Sequence, residues 1–355
     1  MSIFKKIAIG TSILGAKLTG HRAPVILNWA VTGKCNLRCK HCYGSYGRVQ
    51  NEELSFEDAR KLVDEAKKLG TRRMTLEGGE PLVRPDICEL VDYIYSKGIE
   101  MSLCTNGLLL PKFVDRLKDK IDLVVFSLDG NEARHDALRG KGSFKAVMEA
   151  ADVAAKKGLR SLFFTCLIDE NISDIAFVLK TAAEKNGASA FNIVVSKLSG
   201  EKDRTAPQKA SSEKLRAAMA YIIELKKKGL PVFYSEQNFR QAENWPDFNN
   251  ERLYTKDINA LSKEKKKTLI PCQAGRHFCY VESGGGVYPC YQMVGLMKAG
   301  NAKTEGLKES FKILENCEYC KACYNITLSE LNLQCGLSPE SILKVAGNYF
   351  GKKRH

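Results

Sequence analysis

No stretch of this 355-residue chain approaches the ~20 uninterrupted apolar residues that a membrane-spanning helix needs. An export signal is also lacking. Lys5 and Lys6 precede an apolar stretch, but Gly10, Thr11 and Ser12 break it, and no good cleavage site stands before Lys17. That argues against an oxidised, secreted protein and for a reducing compartment, so the expected location is cytoplasmic. There is no arginine-rich array with interleaved aromatics, which argues against nucleic acid as a partner. Internal repeats are absent. Tryptophan is scarce, and Trp29 and Trp245 read as packing residues.

What the chain does have is apolar residues and cysteine. Hydrophobic residues make up 44% and charged residues 27%, enough for one core of about 200–250 residues plus a smaller unit. Thirteen cysteines, an odd number and clustered, point to metal ligation rather than disulfides. The net charge is +14 and the pI about 9.1. That balance gives a lysine-rich solvated surface, or attraction to an anionic membrane, an acidic substrate or an acidic electron donor.

Residues 2–19 read as a basic amphipathic helix, with Ile3, Ile7, Leu14 and Leu18 on one face and Lys5, Lys6 and Lys17 off it. Such a segment either packs on the body or lies peripherally in a membrane interface, here the inner face. From residue 22 to 200, strands alternate with helices. Strands are expected at Val25–Val31, Met74–Glu77, Met101–Thr105, Leu123–Leu128, Arg160–Ile168 and Ala190–Ser196. Ser55 caps a helix that Gly70 closes, and another runs at about 173–186. Six βα units imply an α/β fold with a parallel sheet, and the polar and glycine residues past the strand ends mark the functional edge. Residues 201–270 read as a linker with a helix at about 211–229. Residues 271–338 hold seven cysteines and form the second unit, and 339–355 are a tail.

The first cysteine cluster is Cys35-Asn-Leu-Arg-Cys39-Lys-His-Cys42-Tyr43, on the loop after the first strand. Three soft thiolates on one loop suit an iron–sulfur cluster. A four-iron cubane held by three ligands keeps one iron open. Zinc with His41 as fourth ligand is the alternative, at an uncommon spacing. Downstream lie Gly78-Gly79-Glu80-Pro81, Ser127-Leu-Asp-Gly and His135-Asp-Ala-Leu-Arg139. Read singly, Gly78-Gly79 and Asp129-Gly130 could be plain turns, and Arg139 could pair with Asp129 or Glu132.

Together these motifs resemble the radical S-adenosylmethionine (SAM) superfamily over residues 22–200. The resemblance implies a partial (β/α)6 barrel and a 4Fe–4S cluster on Cys35, Cys39 and Cys42, with SAM at its open iron. Gly78, Gly79, Glu80 and Pro81 would receive the SAM amino group, Ser127 and Arg139 its carboxylate or ribose, and Tyr43 would stand near adenine. Reductive cleavage of SAM would give a 5′-deoxyadenosyl radical that abstracts hydrogen from a substrate carbon. An electron donor such as ferredoxin or flavodoxin is implied.

In the second unit, Cys272 and Cys290 flank a β-hairpin whose turn is Gly284-Gly285-Gly286, and Cys317, Cys320 and Cys323 follow on a tight loop. This resembles the SPASM/Twitch extension of the same superfamily, a small cysteine-rich hairpin and helix domain. Cys272, Gly285 and Cys290 fit its first half. The C-x2-C-x2-C and a single distant Cys335 depart from the fuller array. One auxiliary 4Fe–4S cluster is expected, on Cys272, Cys290, Cys317 and either Cys320 or Cys323, with structural zinc as the alternative. Cys279 and Cys335 are then spare, and Cys88, Cys104 and Cys166 are read as packing. The implied activity is oxidative modification of a small-molecule, tetrapyrrole or lipid-like substrate. A ribosomal-peptide maturase, and a non-catalytic electron carrier or sensor, stay open as alternatives.

Overall fold

The computed structural model describes residues 3–44, 46, 52–194, 209–314 and 320–338, with side chains from residue 8 onward. Six strands alternate with helices as the hydrophobic pattern predicts: β1 (Ile26–Thr32), β2 (Arg73–Gly78), β3 (Glu100–Thr105), β4 (Leu123–Ser127), β5 (Ser161–Leu167) and β6 (Ala188–Ile193). All neighbours among them are parallel and in sequential order. The intervening helices are α2 (Phe56–Lys68), α3 (Ile87–Ser96), α4 (Leu110–Leu117), α5 (Glu132–Arg139), α6 (Ser143–Lys156) and α7 (Ile175–Glu184), after an N-terminal α1 (Ile3–Leu18). Ser55 accepts from the Asp58 amide at 3.1 Å, so the expected cap forms.

Alternate strand residues face opposite sides, and this builds both core and lumen. On β2, Met74 and Leu76 are buried in the helix-covered layer, while Arg73, Thr75 and Glu77 line the lumen. On β3, Met101 and Leu103 face the helices, and Glu100, Ser102 and Cys104 face inward.

Beyond β6 come α8 (Ser212–Lys227), α9 (Glu236–Glu243), β7 (Arg252–Leu253), α10 (Thr255–Asn259), α11 (Lys263–Thr268), β8 (Phe278–Val281), β9 (Gly286–Tyr288), β10 (Gly300–Asn301), α12 (Gly306–Ile313), β11 (Ala322–Cys323) and α13 (Ile326–Gly336). The expected hairpin is β8–β9. It does not stand apart: β8 pairs in parallel with β1, giving one nine-stranded sheet ordered β10-β9-β8-β1-β2-β3-β4-β5-β6. On the open side of the barrel, α13 lies against β6. The Ile326 amide donates to Asn192 Oδ1 at 2.9 Å, and Thr327, Leu328, Glu330, Leu331 and Gln334 complete the cavity wall.

The N-terminal helix forms, but Leu14 and Leu18 do not lie on its buried stripe; the side chains of Ile3 and Ile7, expected on the same face, lie outside those described. Ile9, Ile13 and Ala16 pack on the body, whereas Leu14 and Leu18 are 47% and 79% exposed. Ile9 and Ile13, one helical turn apart, join the apolar cluster of β1 and β8, and this rotates Leu14 and Leu18 outward. Lys17 Nζ bonds to the Gly336 carbonyl at 3.0 Å, tying α1 to α13.

Candidate active site

The C-terminal ends of the strands converge on a cavity of about 410 Å³. Of the residues singled out from the sequence, Cys35, Cys39, Cys42, Tyr43, Gly78, Gly79, Ser127 and Arg139 line it. Glu80 and Pro81 do not, although they belong to the same motif.

The glycines are explained by close approach. Gly78 has φ +116°, and a Cβ there would meet the Thr32 carbonyl at 2.4 Å. A Cβ on Gly79 would lie 2.0 Å from the Lys34 carbonyl and 3.2 Å from Cys35 Cβ. The bare backbone lets the Gly79 amide bond to Thr32 O and the Glu80 amide to Lys34 O, both at 2.9 Å. The end of β2 therefore grips the cysteine loop at its root. Glu80 acts as a clamp rather than a ligand-facing group. Its carboxylate is fully buried and accepts from Thr105 Oγ1 (2.8 Å), the Asn106 amide (2.8 Å) and the Leu82 amide (3.2 Å). Asn106 Nδ2 passes the constraint on to Asn36 Oδ1 at 2.7 Å, inside the cysteine loop. Burial pushes the Glu80 carboxyl up to about 7. Pro81 opens a short 3₁₀ turn.

The other side of the loop is held by a group that sequence reading weighed as a turn residue or as a partner of Arg139. Asp129 is fully buried just past β4. Its carboxylate pairs with the Arg139 guanidinium, receives His41 Nε2 at 3.1 Å, and accepts from the Cys166 amide at 3.0 Å. Burial alone would raise it, but Arg139 and His41 more than reverse this and hold it well below the usual carboxylate range. Arg139 extends to Cys39 Sγ at 3.7 Å and to His41 at 3.4 Å. So Arg139 does pair with Asp129, and the pair presents the guanidinium to the thiols. The signal that could have exposed Asp129 is its distance from Arg139, ten residues on, which lets a strand end and the following helix meet.

The donor set fits a 4Fe–4S cluster. Three thiols from one loop face a common cavity, and no fourth thiol of that loop closes the set. Burial pushes the Cys35 thiol up to about 11 and raises Cys39 even though Arg139 pulls Cys39 down, so ionisation of this set calls for bound iron. Cys104 and Cys166, read as packing residues, also line the cavity.

Further along, Cys272, Cys290, Cys320 and Cys323 come together. Cys320 hydrogen-bonds to Cys272, which lowers Cys272 and raises Cys320, and all four thiols feel one another electrostatically. The Cys272 amide is anchored on the Lys321 carbonyl at 2.9 Å, and β11 carries Cys323 against β7. Four soft donors are what full cysteine coordination of an auxiliary cluster requires, although among the described residues no group of three or more such side chains is close enough to hold a single metal ion. Cys317 lies outside the described residues, so of the expected ligands it alone is not placed. Cys279 is buried in β8, and burial pushes it up to about 12, as suits a packed thiol. Cys335, in α13, is also fully buried.

Residues 29–182 match the model of the Radical SAM superfamily. An AdoMet-dependent heme synthase from Methanosarcina barkeri is 29% identical over 323 residues, covering 89% of this chain and 88% of that protein. Mycofactocin maturase MftC from Mycobacterium tuberculosis is 30% identical over 294 residues, covering 81% of this chain and 70% of that one. Among solved structures, Streptococcus suis SuiB bound to S-adenosylmethionine superposes with TM-score 0.64 at 18% identity, over 86% of this chain and 68% of SuiB. The likeness to SuiB concerns the fold.

Proposed function

The chain belongs to the radical SAM superfamily, and from that premise we propose that it removes hydrogen from an unactivated carbon of a small molecule and releases an oxidised product. The observation that carries this reading is the second thiol set. Cys272, Cys290, Cys320 and Cys323 converge beside Tyr291, and Tyr291 lines the same cavity as Cys35, Cys39 and Cys42. When bound, the first cluster and SAM supply a strong hydrogen-abstracting radical; a cluster on the second set would supply a one-electron acceptor.

The chain's own residues hold and orient. Cys35, Cys39 and Cys42 would ligate three irons of the first cluster, and Arg139 offsets thiolate charge at Cys39. Gly78 and Gly79 offer backbone without side chains where the SAM amino group is expected. Ser127 stands at the end of β4 for the carboxylate or ribose, and Tyr43 is the aromatic near adenine. Leu123, Val125, Leu162 and Phe164 line the lumen and limit water around the reacting carbon.

The heme synthase relative, matched over 88% of its length, supports a tetrapyrrole-like small molecule; the maturase relatives support a peptide. Anaerobically reconstituted protein should be given SAM and dithionite, then iron coproporphyrin III or a short peptide pool. Formation of 5′-deoxyadenosine is the expected result, and which of the two compounds stimulates it separates the small-molecule from the peptide reading. No 5′-deoxyadenosine under any condition would overturn the enzymatic reading, and stimulation by peptide alone would overturn the small-molecule choice.

Two partners belong to the same proposal. The +14 surface suits an acidic donor such as ferredoxin or flavodoxin. Leu14 and Leu18, exposed on a basic helix, suit peripheral contact with an anionic bilayer. Identical vesicle co-sedimentation of the full chain and a variant lacking residues 2–19 would remove the membrane contact. Among the described residues, no helix is long and apolar enough to cross a membrane.

A further inference from the structure

One ionisable group in the lumen is used by nothing described so far. Glu77 lies on β2 directly before Gly78, and its side chain faces the cavity together with Thr75 and Arg73. Its Oε1 is buried and has no hydrogen-bond partner among the described residues. Leaving a buried carboxyl oxygen unsatisfied costs on the order of 1–3 kcal/mol, so such a group in a ligand cavity points to a missing partner.

The cavity wall that Glu77 shares is rich in aromatics. Tyr43 meets Tyr291 with ring centroids 5.1 Å apart and meets Tyr46 at 5.7 Å. Tyr46 Oη lies 2.9 Å from Tyr280 Oη, and Tyr280 closes the circuit on Tyr291 at 6.2 Å. Glu77 acts electrostatically on these four phenols and on that of Tyr234, and burial keeps each of them neutral. Tyr291 is held in place by Asn325 and Asn192. Tyr43, Tyr46 and Tyr291 reach the cavity surface themselves.

We infer that Glu77, with Tyr46 and Tyr291, forms a substrate subsite for a cationic group of alkylammonium type. Neutral aromatic faces attract a cation through their quadrupoles, and a carboxylate at the base supplies the counter-charge. Each feature favours a cation over a neutral group of equal size, and together they do so more strongly. Burial, with no other charge near enough to matter, lifts the Glu77 carboxyl to about 7. A cation seated there would restore its ionised form. This subsite rests on the oxidative reading above and narrows its substrate to a molecule carrying a basic nitrogen. In that respect it departs from a purely carboxylate-bearing tetrapyrrole.

The test uses the full-length protein with both clusters reconstituted and SAM present. n-Butylammonium is titrated by ligand-observed NMR, with n-butanol as the uncharged control, and SAM affinity is measured by equilibrium dialysis. The wild type should prefer butylammonium over butanol. Glu77→Gln should weaken butylammonium about tenfold, leave butanol unchanged and leave SAM affinity within about twofold. Glu77→Asp should recover part of the preference. Equal binding of butylammonium and butanol to the wild type would overturn the inference, even if the Gln variant fails to take up iron. So would a parallel fall in SAM affinity, which would make Glu77 a cofactor residue. SAM cleavage is followed in the same samples. Cleavage that persists with charge-blind binding fails this inference alone, whereas its absence in the wild type fails the enzymatic reading.

Discussion

At the scale of single residues, the cysteine loop is held less by its thiols than by the groups that brace it. Gly79 is the sharpest case, because a Cβ there would sit 2.0 Å from the Lys34 carbonyl. Gly79→Ala should therefore displace the loop, and reconstituted protein should hold markedly less iron on the first cysteine set, as read by iron analysis and visible absorbance. Glu80 allows a pH prediction. Its carboxyl is pushed up to about 7 by burial, above its ordinary 4.5. The folded state thus binds the proton more tightly than the unfolded chain. Its contribution is fully present below about pH 4.5 and is lost as pH rises through about 7. Denaturant titration of metal-free protein should show stability falling across that window. The ceiling is about 3 kcal/mol from the shift. Glu80→Gln should flatten the slope while lowering stability at acid pH, because one oxygen cannot serve three donors.

At the scale of elements, α13 converts an open half-barrel into an enclosed cavity. Asn325 does this twice: its Oδ1 caps the helix by accepting from the Leu328 amide at 2.9 Å, and its Nδ2 bonds to the Tyr291 hydroxyl. Asn325→Ala should cost about 1–2 kcal/mol, seen by calorimetry as a fall of a few degrees in Tm. At the opposite end of the lumen, Arg73 joins Glu100 (3.2 Å) and Gln334 (3.3 Å), so the same helix also seals the floor. Helix α1 is fastened by Ile9 and Ile13 in the apolar cluster of β1 and β8.

At the scale of the whole molecule, one thiol set lines the aromatic-walled chamber and the second lies behind it, next to the lining residue Tyr291, and this should separate two activities. Cys39→Ala should abolish SAM cleavage. Cys290→Ala should retain some cleavage yet stop substrate turnover, and iron should fall from about eight to about four per chain if each set holds one four-iron cluster. Equal loss of both activities in the two variants would undo the division of labour. The +14 charge adds a kinetic expectation: reduction by an acidic flavodoxin should slow steeply as ionic strength rises, because a Debye length near 10 Å at 0.1 M screens the encounter.

Sequence alone determined what depends on local order. The six parallel strands, their helices and the hairpin follow from short-range periodicity and caps. The first ligand set lies within eight residues, so Cys35, Cys39 and Cys42 needed no tertiary information. The roles of Glu80 and Asp129 were decided in three dimensions, since a carboxylate declares itself a clamp only when its donors, distant in sequence, arrive. The same holds for the cavity-facing Cys104 and Cys166 and for the true buried stripe of α1, because a strand or helix has two faces and only packing chooses between them. Glu77 belongs there too: its sequence shows an acid beside two glycines, and only the fold places it in an aromatic-walled cavity and leaves its Oε1 without a hydrogen-bond partner among the described residues.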